Sequence, residues 1–90
     1  MKLEELRKEI DNIDSKIIDL LAKRNEIIKK IAKIKKDAKK QVFDNDREQQ
    51  ILEKIKLKAK EKNLDENFVN SIYNIILKNS KQEQEKIIKK

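Results

Sequence analysis

Residues 3–38 read LEELRKEIDNIDSKIIDLLAKRNEIIKKIAKIKKDA, with apolar side chains at Leu3, Leu6, Ile10, Ile13, Ile17, Leu20, Ile27, Ile31, Ile34 and Ala38. Steps of three and four alternate along the stretch, which is the spacing of one continuous helical stripe. A single slot, between Leu20 and Ile27, is polar and holds Arg24. The chain contains no Gly and no Pro, so nothing in the run demands a break. At ~1.5 Å rise per residue the stretch makes a rod of roughly 54 Å. A compact monomer of this length has a radius of gyration of about 12 Å and a body about 30 Å across. The rod protrudes from such a body: either it breaks in a way the sequence does not signal, or a second chain covers the protruding half, and the second reading is favoured.

The composition narrows the class further. Ninety residues allow one domain spanning residues 1–90. Hydrophobic residues make up 37% and charged residues 46%. A lone core drawn from so little apolar material is marginal, which again favours an oligomer. Without Gly and Pro a turn-rich β fold is excluded, leaving an all-α chain with few, short loops. Cysteine and histidine are both absent. Disulfides, thiolate chemistry, the usual general base and nearly every zinc arrangement go with them. No apolar run approaches ~18 residues and no signal peptide opens the chain, so the expectation is a soluble, cytoplasmic protein. The net charge of +7 suits an anionic partner, although lysine-rich helices are often simply solvated.

Three helices are expected, of about 36, 17 and 22 residues. The first starts near Lys2, with Glu4 and Glu5 in its first turn and Lys35, Lys36, Lys39 and Lys40 at its end, as the helix dipole prefers. Residues 41–43 break the pattern. Asp44 or Asn45 then caps a second helix running to about Lys62, with a stripe of Ile51, Leu52, Ile55 and Ala59 and with Leu57 off to one side. Asn63 serves as the stop. Asp65 caps the third helix, from Glu66 to about Ile88, whose apolar residues are Phe68, Val69, Ile72, Tyr73, Ile75, Ile76, Ile87 and Ile88.

The informative positions are those where an inward face turns polar. Arg24 takes a core slot, and Lys35, eleven residues on, returns to nearly the same azimuth. Glu48 precedes Leu52, Ile55 and Ala59 on one face of the second helix. Ser80 and Gln84 continue the stripe of Val69, Ile72 and Ile76 on the third. Each has a bland reading on its own: a register-setting Arg, a snorkelling Lys, a frayed helix end. Together they describe a cavity holding Arg24, Lys35, Arg47 or Glu48, Ser80 and Gln84, with cations in excess. Buried charges need partners, and an anionic ligand completes this set.

At these residues the chain resembles the all-helical (AroQ-type) chorismate mutases. The likeness rests on Arg7, Arg24, Lys35, the segment VFDNDRE at residues 42–48, Ser80 and Gln84, with LRKEIDNID at 6–14 and LLAKR at 20–24. It implies an intertwined homodimer of three-helix chains with two equivalent sites, and the rearrangement of chorismate to prephenate on the route to phenylalanine and tyrosine. It implies no cofactor and no metal, because the reaction is pericyclic. By the same resemblance, Arg24 and Arg7 hold the pyruvyl carboxylate and Arg47 with Ser80 the ring carboxylate. Lys35 and Gln84 donate to the ether oxygen, while Glu48 and the backbone at Asp44 take the ring hydroxyl. Lys35, Gln84 and Arg24 form the expected catalytic set. Gln41 stands where family members often carry Pro, so the loop before Asp44 is expected to be looser.

Arg7 precedes Arg24 by 17 residues on one rod, about 25 Å away, and cannot easily reach the pocket of its own chain. If two first helices run antiparallel, Arg7 arrives in trans beside the partner's Arg24. The partners expected are therefore a small dianionic substrate and a second copy, with neither nucleic acid nor membrane. Three rival readings compete. A basic helical dimer binding nucleic acid leaves Glu48, Ser80 and Gln84 without reason to point inward and lacks aromatic platforms. A purely structural coiled coil makes liabilities of Arg24 and Glu48. An isochorismate-processing relative keeps the fold and changes the substrate.

Overall fold

The computed structural model describes residues 2–89, which form three helices in the order expected: α1 (Leu3–Asp37), α2 (Asn45–Glu61) and α3 (Glu66–Ile88). Their lengths are 35, 17 and 23 residues, within one residue of expectation. Asp44 rather than Asn45 caps α2: its carboxylate accepts from the Arg47 N–H at 3.0 Å. Asp65 caps α3, accepting from the N–H groups of Asn67 at 2.8 Å and Phe68 at 3.2 Å. Each cap satisfies donors that the first helical turn leaves open.

Without glycine, two other residues close α1 and α2. Lys39 (φ 56°) and Asn63 (φ 57°) both take the left-handed conformation. Beyond them the N–H of Lys40 reaches Lys35 O at 2.8 Å, and that of Leu64 reaches Ala59 O at 2.9 Å. These are six-to-one closures that satisfy orphan carbonyls. Asn63 tolerates this backbone; for Lys39 it costs roughly 1–2 kcal/mol.

α3 packs against both α1 and α2, whose backbones stay apart from each other. The chain extends 55 × 25 × 15 Å with a radius of gyration of 16.3 Å, well beyond the ~12 Å of a compact chain this long. The excess is the N-terminal part of α1: every residue from 2 to 23 is exposed. Along that part, Leu3, Leu6, Ile10, Ile13, Ile17 and Leu20 are 39–62% exposed.

Within one chain the stripe is therefore not the core face. α1 bonds to α3 through Arg24 and Lys35, which share with Ile28 and the buried Ala32 a row of i, i+4, i+8 and i+11 lying beside Ile27, Ile31 and Ile34. Ala32 at 0% exposure, Ala59 at 2% and Leu77 at 6% are the fully buried apolar residues. Ala32 and Leu77 lie outside the expected stripes, because the apolar positions outnumber those one chain can bury. Leu57 is exposed, as expected, and so are Phe68, Ile72 and Ile75, which the sequence had placed among the apolar residues of α3. Among the described residues no helix is long and apolar enough to cross a membrane.

Candidate active site

A cleft of about 240 Å³ opens where the second half of α1, the start of α2 and the end of α3 converge. Its polar lining comprises Arg24, Lys35, Asp44, Arg47, Glu48, Ser80, Lys81 and Gln84, with Ile28, Ile31, Val42, Ile51 and Leu77 as its apolar walls. Seven of the eight residues expected at the site thus come together. The eighth, Arg7, does not: it lies on the exposed part of α1, paired with Glu4 at 2.9 Å.

The inward polar residues of α3 organise the cleft. Ser80 and Gln84, each 6% exposed, are the buried polar side chains among the described residues. Ser80 Oγ donates to Ile76 O at 2.9 Å and accepts from the Arg24 guanidinium. Ser80 is one turn after Ile76, so the back-bond fixes its hydroxyl and makes the oxygen a ready acceptor for Arg24. Gln84 Oε1 accepts from Lys35 Nζ at 2.8 Å, and Lys35 Nζ also donates to Val42 O at 2.9 Å. An ammonium has three donors, so one remains for a ligand. With Oε1 occupied by Lys35, the Gln84 amide keeps its Nε2 donors for another acceptor.

The cations of the lining are Arg24, Lys35, Arg47 and Lys81, against the carboxylates of Asp44 and Glu48, which leaves two positive charges in excess. Asp44 is partly spent as the cap of α2, and Glu48 pairs with Lys81 at 3.2 Å. Among the described residues the exposed Arg47 guanidinium has no protein partner. An excess of preoriented donors around a small cleft is suited to a compact dianion. Among the described residues no group of three or more His, Cys, Asp or Glu side chains could hold a metal ion.

Two contributors were not legible beforehand. The Val42 carbonyl anchors Lys35 through the backbone, which side-chain patterning cannot show. Lys81 is one of 24 Lys and Arg residues, and only its place beside Ser80 on α3 hints that it borders the cleft.

The model of the family "Chorismate mutase type II" matches residues 6–85 of the chain. The chain is 39% identical over 87 residues to a chorismate mutase of Methanocaldococcus jannaschii, covering 97% of this chain and 88% of that protein. It is 36% identical to a bifunctional chorismate mutase/prephenate dehydratase of Buchnera aphidicola, covering 93% of this chain and 22% of the relative. With the corresponding bifunctional protein of Escherichia coli the identity is 30%, over 92% of this chain and 22% of the other. The likeness thus spans nearly all of the archaeal protein and about a fifth of the bifunctional ones. The match runs from the exposed start of α1 to the buried Gln84 of α3, and on it the chain belongs to the chorismate mutase type II family.

Proposed function

We infer that the cleft is where chorismate rearranges to prephenate, and that Arg7 of a second copy completes it. As a member of its family the chain is an isomerase. The observation that carries the site reading is the side-by-side placement of Lys35 and Gln84. Held together by their mutual hydrogen bond, both line the one cleft, and each keeps donors that this bond does not use.

The rearrangement breaks the ether C–O bond and forms a C–C bond in one step, with no proton or electron exchanged with the protein. Two things limit its rate: the flexible substrate must be held in its compact reactive conformer, and negative charge builds on the ether oxygen. Arg24, held by Ser80, presents a planar fork to one carboxylate, and the free Arg47 guanidinium presents one to the other. Lys35 and Gln84 donate to the ether oxygen, where preorganised donors gain most as charge develops. Glu48 at the rim accepts the ring hydroxyl with help from the Asp44 backbone. The resident Lys35–Gln84 and Arg24–Ser80 bonds hold these donors in place, so little reorganisation accompanies binding.

The dimer is supported by the exposed stripe. Six Leu and Ile side chains about half exposed retain, at ~1.5–3 kcal/mol for full burial of each, roughly 5–9 kcal/mol per protomer. Two protomers thus offer roughly 10–18 kcal/mol against an association cost of about 4–15 kcal/mol. A cytoplasmic location belongs to the same proposal and is read by cell fractionation.

The test of function is a direct one. Purified protein should remove the absorbance of chorismate and yield prephenate, and sedimentation should show a dimer. Turnover of isochorismate in preference to chorismate, or a stable monomer at micromolar concentration with full activity, overturns the reading.

A further inference from the structure

Lys81 belongs to none of the roles above, yet it joins three elements at the cleft. It stands on α3, one residue past Ser80. Its Nζ lies 3.2 Å from Glu48 Oε2 on α2 and 5.1 Å from the centre of the Phe43 ring in the loop between α1 and α2. The side chains of Lys81 and Glu48 are 35% and 21% exposed, so the pair is only partly screened by water. A cation over an aromatic face gains an attraction of its own, which fixes the ammonium from the loop side. The Val42 carbonyl of the same loop anchors Lys35.

We propose that Lys81 is a positioning residue for this site: seated on Phe43, its ammonium holds the Glu48 carboxylate at the rim, aimed to accept the ring hydroxyl. This rests on the reading of the cleft given above. A glutamate at the fourth residue of a helix has several open rotamers, and the neighbouring cations Arg47, Lys35 and Arg24 all line the same cleft. Without Lys81 the carboxylate is free to turn onto one of them, spending both an acceptor and a carboxylate clamp. Lys81 acts through Glu48 and is not required to touch the substrate.

The hydroxyl takes no part in bond breaking, so its acceptor is used about equally in the ground and transition states. Loss of such an interaction raises KM and leaves kcat nearly unchanged. Lys81→Met, which keeps the apolar stem, is expected to raise KM for chorismate about tenfold with kcat within about twofold. Lys81→Gln behaves alike, while Lys81→Arg restores most of the affinity because a guanidinium satisfies both the ring and the carboxylate. The decisive measurement is a double-mutant cycle: in a Glu48→Gln background, Lys81→Met should add little. An unchanged KM in both Lys81→Met and Lys81→Gln overturns the proposal. So does a full, additive loss in the Glu48→Gln background, which assigns the ammonium to the substrate or to the fold. Wild-type protein without mutase activity removes the underlying reading as well, whereas an active wild type with an indifferent Lys81 removes this inference alone.

Discussion

Arg7 decides whether the active site belongs to one chain or to two. It lies about 25 Å along α1 from Arg24, a distance no arginine side chain spans, and all of residues 2–23 are exposed. On the shared-site proposal, an antiparallel partner would bring it to a cleft. Two variants expected to be nearly inactive test this, Arg7→Ala and Lys35→Ala. On the proposed mechanism, Lys35→Ala removes a preorganised donor to the ether oxygen and should lose roughly 10²–10³ in kcat. Arg7→Ala removes a carboxylate clamp and should be similarly poor. Unfolded together in equal amounts and refolded, they should form mixed dimers as about half of the population. In a mixed dimer one pocket collects both lesions, while the other takes Lys35 from one chain and Arg7 from its partner. One intact site in two, in half of the dimers, returns about a quarter of wild-type activity, far above either parent. The assay is chorismate disappearance before and after mixing, with heterodimers verified by mass or by a charge tag. If Arg7 served its own chain, every pocket would keep one lesion. No recovery in the presence of verified heterodimers refutes the shared site.

Other outcomes follow from single contacts. Arg24→Lys should be poor in kcat/KM despite keeping its charge, because the planar fork that meets both Ser80 and a carboxylate is lost; near-normal kinetics would show that a point charge suffices. The wild-type profile should be flat between about pH 5.5 and 8.5, since the chain has no histidine and Gln84 is a non-titrating amide. Gln84→Glu changes this with a definite sign. A carboxylic acid donates only while protonated, so activity is present at low pH and falls as pH rises, and Lys35 at 2.8 Å, by favouring the carboxylate, moves the fall toward acid. A flat profile in Gln84→Glu would place that side chain away from the ether oxygen. Leu77→Ala should lower stability by about 2–5 kcal/mol, read by denaturant melts at fixed protein concentration; a loss below about 1 kcal/mol would mean that the wall of the cleft collapses freely.

How much was legible from the residues differs from element to element. The helices were, nearly to the residue, because their determinants are local: apolar spacing, a cap at Asp44 or Asn45 that the structure assigns to Asp44, Asp65 as the other cap, and Asn63 as a stop. The left-handed Lys39 was not, since lysine has no preference for that backbone and adopts it only as the closure after Lys35 requires. Arg24, Lys35, Glu48, Ser80 and Gln84 were legible as polar residues on inward faces, which is an argument about azimuth and needs no partner helix.

The sequence by itself determined that α1 is an unbroken rod with an apolar stripe, that the chain is all helical, and which polar residues turn inward. Periodicity and charge placement are properties of single helices, and they survive being read one segment at a time. Only the tertiary structure decided which face of α1 meets α3. Two adjacent stripes compete there, and the intrachain contact went to the row of Arg24, Ile28, Ala32 and Lys35, whose small Ala32 gives α1 a fully buried contact point. That choice leaves the longer stripe bare. It also orients Gln84 by Lys35, ties Lys35 to a backbone carbonyl, and brings Lys81 of α3 within reach of Glu48 and Phe43. These pairings join residues 7 to 49 positions apart, and their distances depend on how three helices cross, which no local pattern encodes.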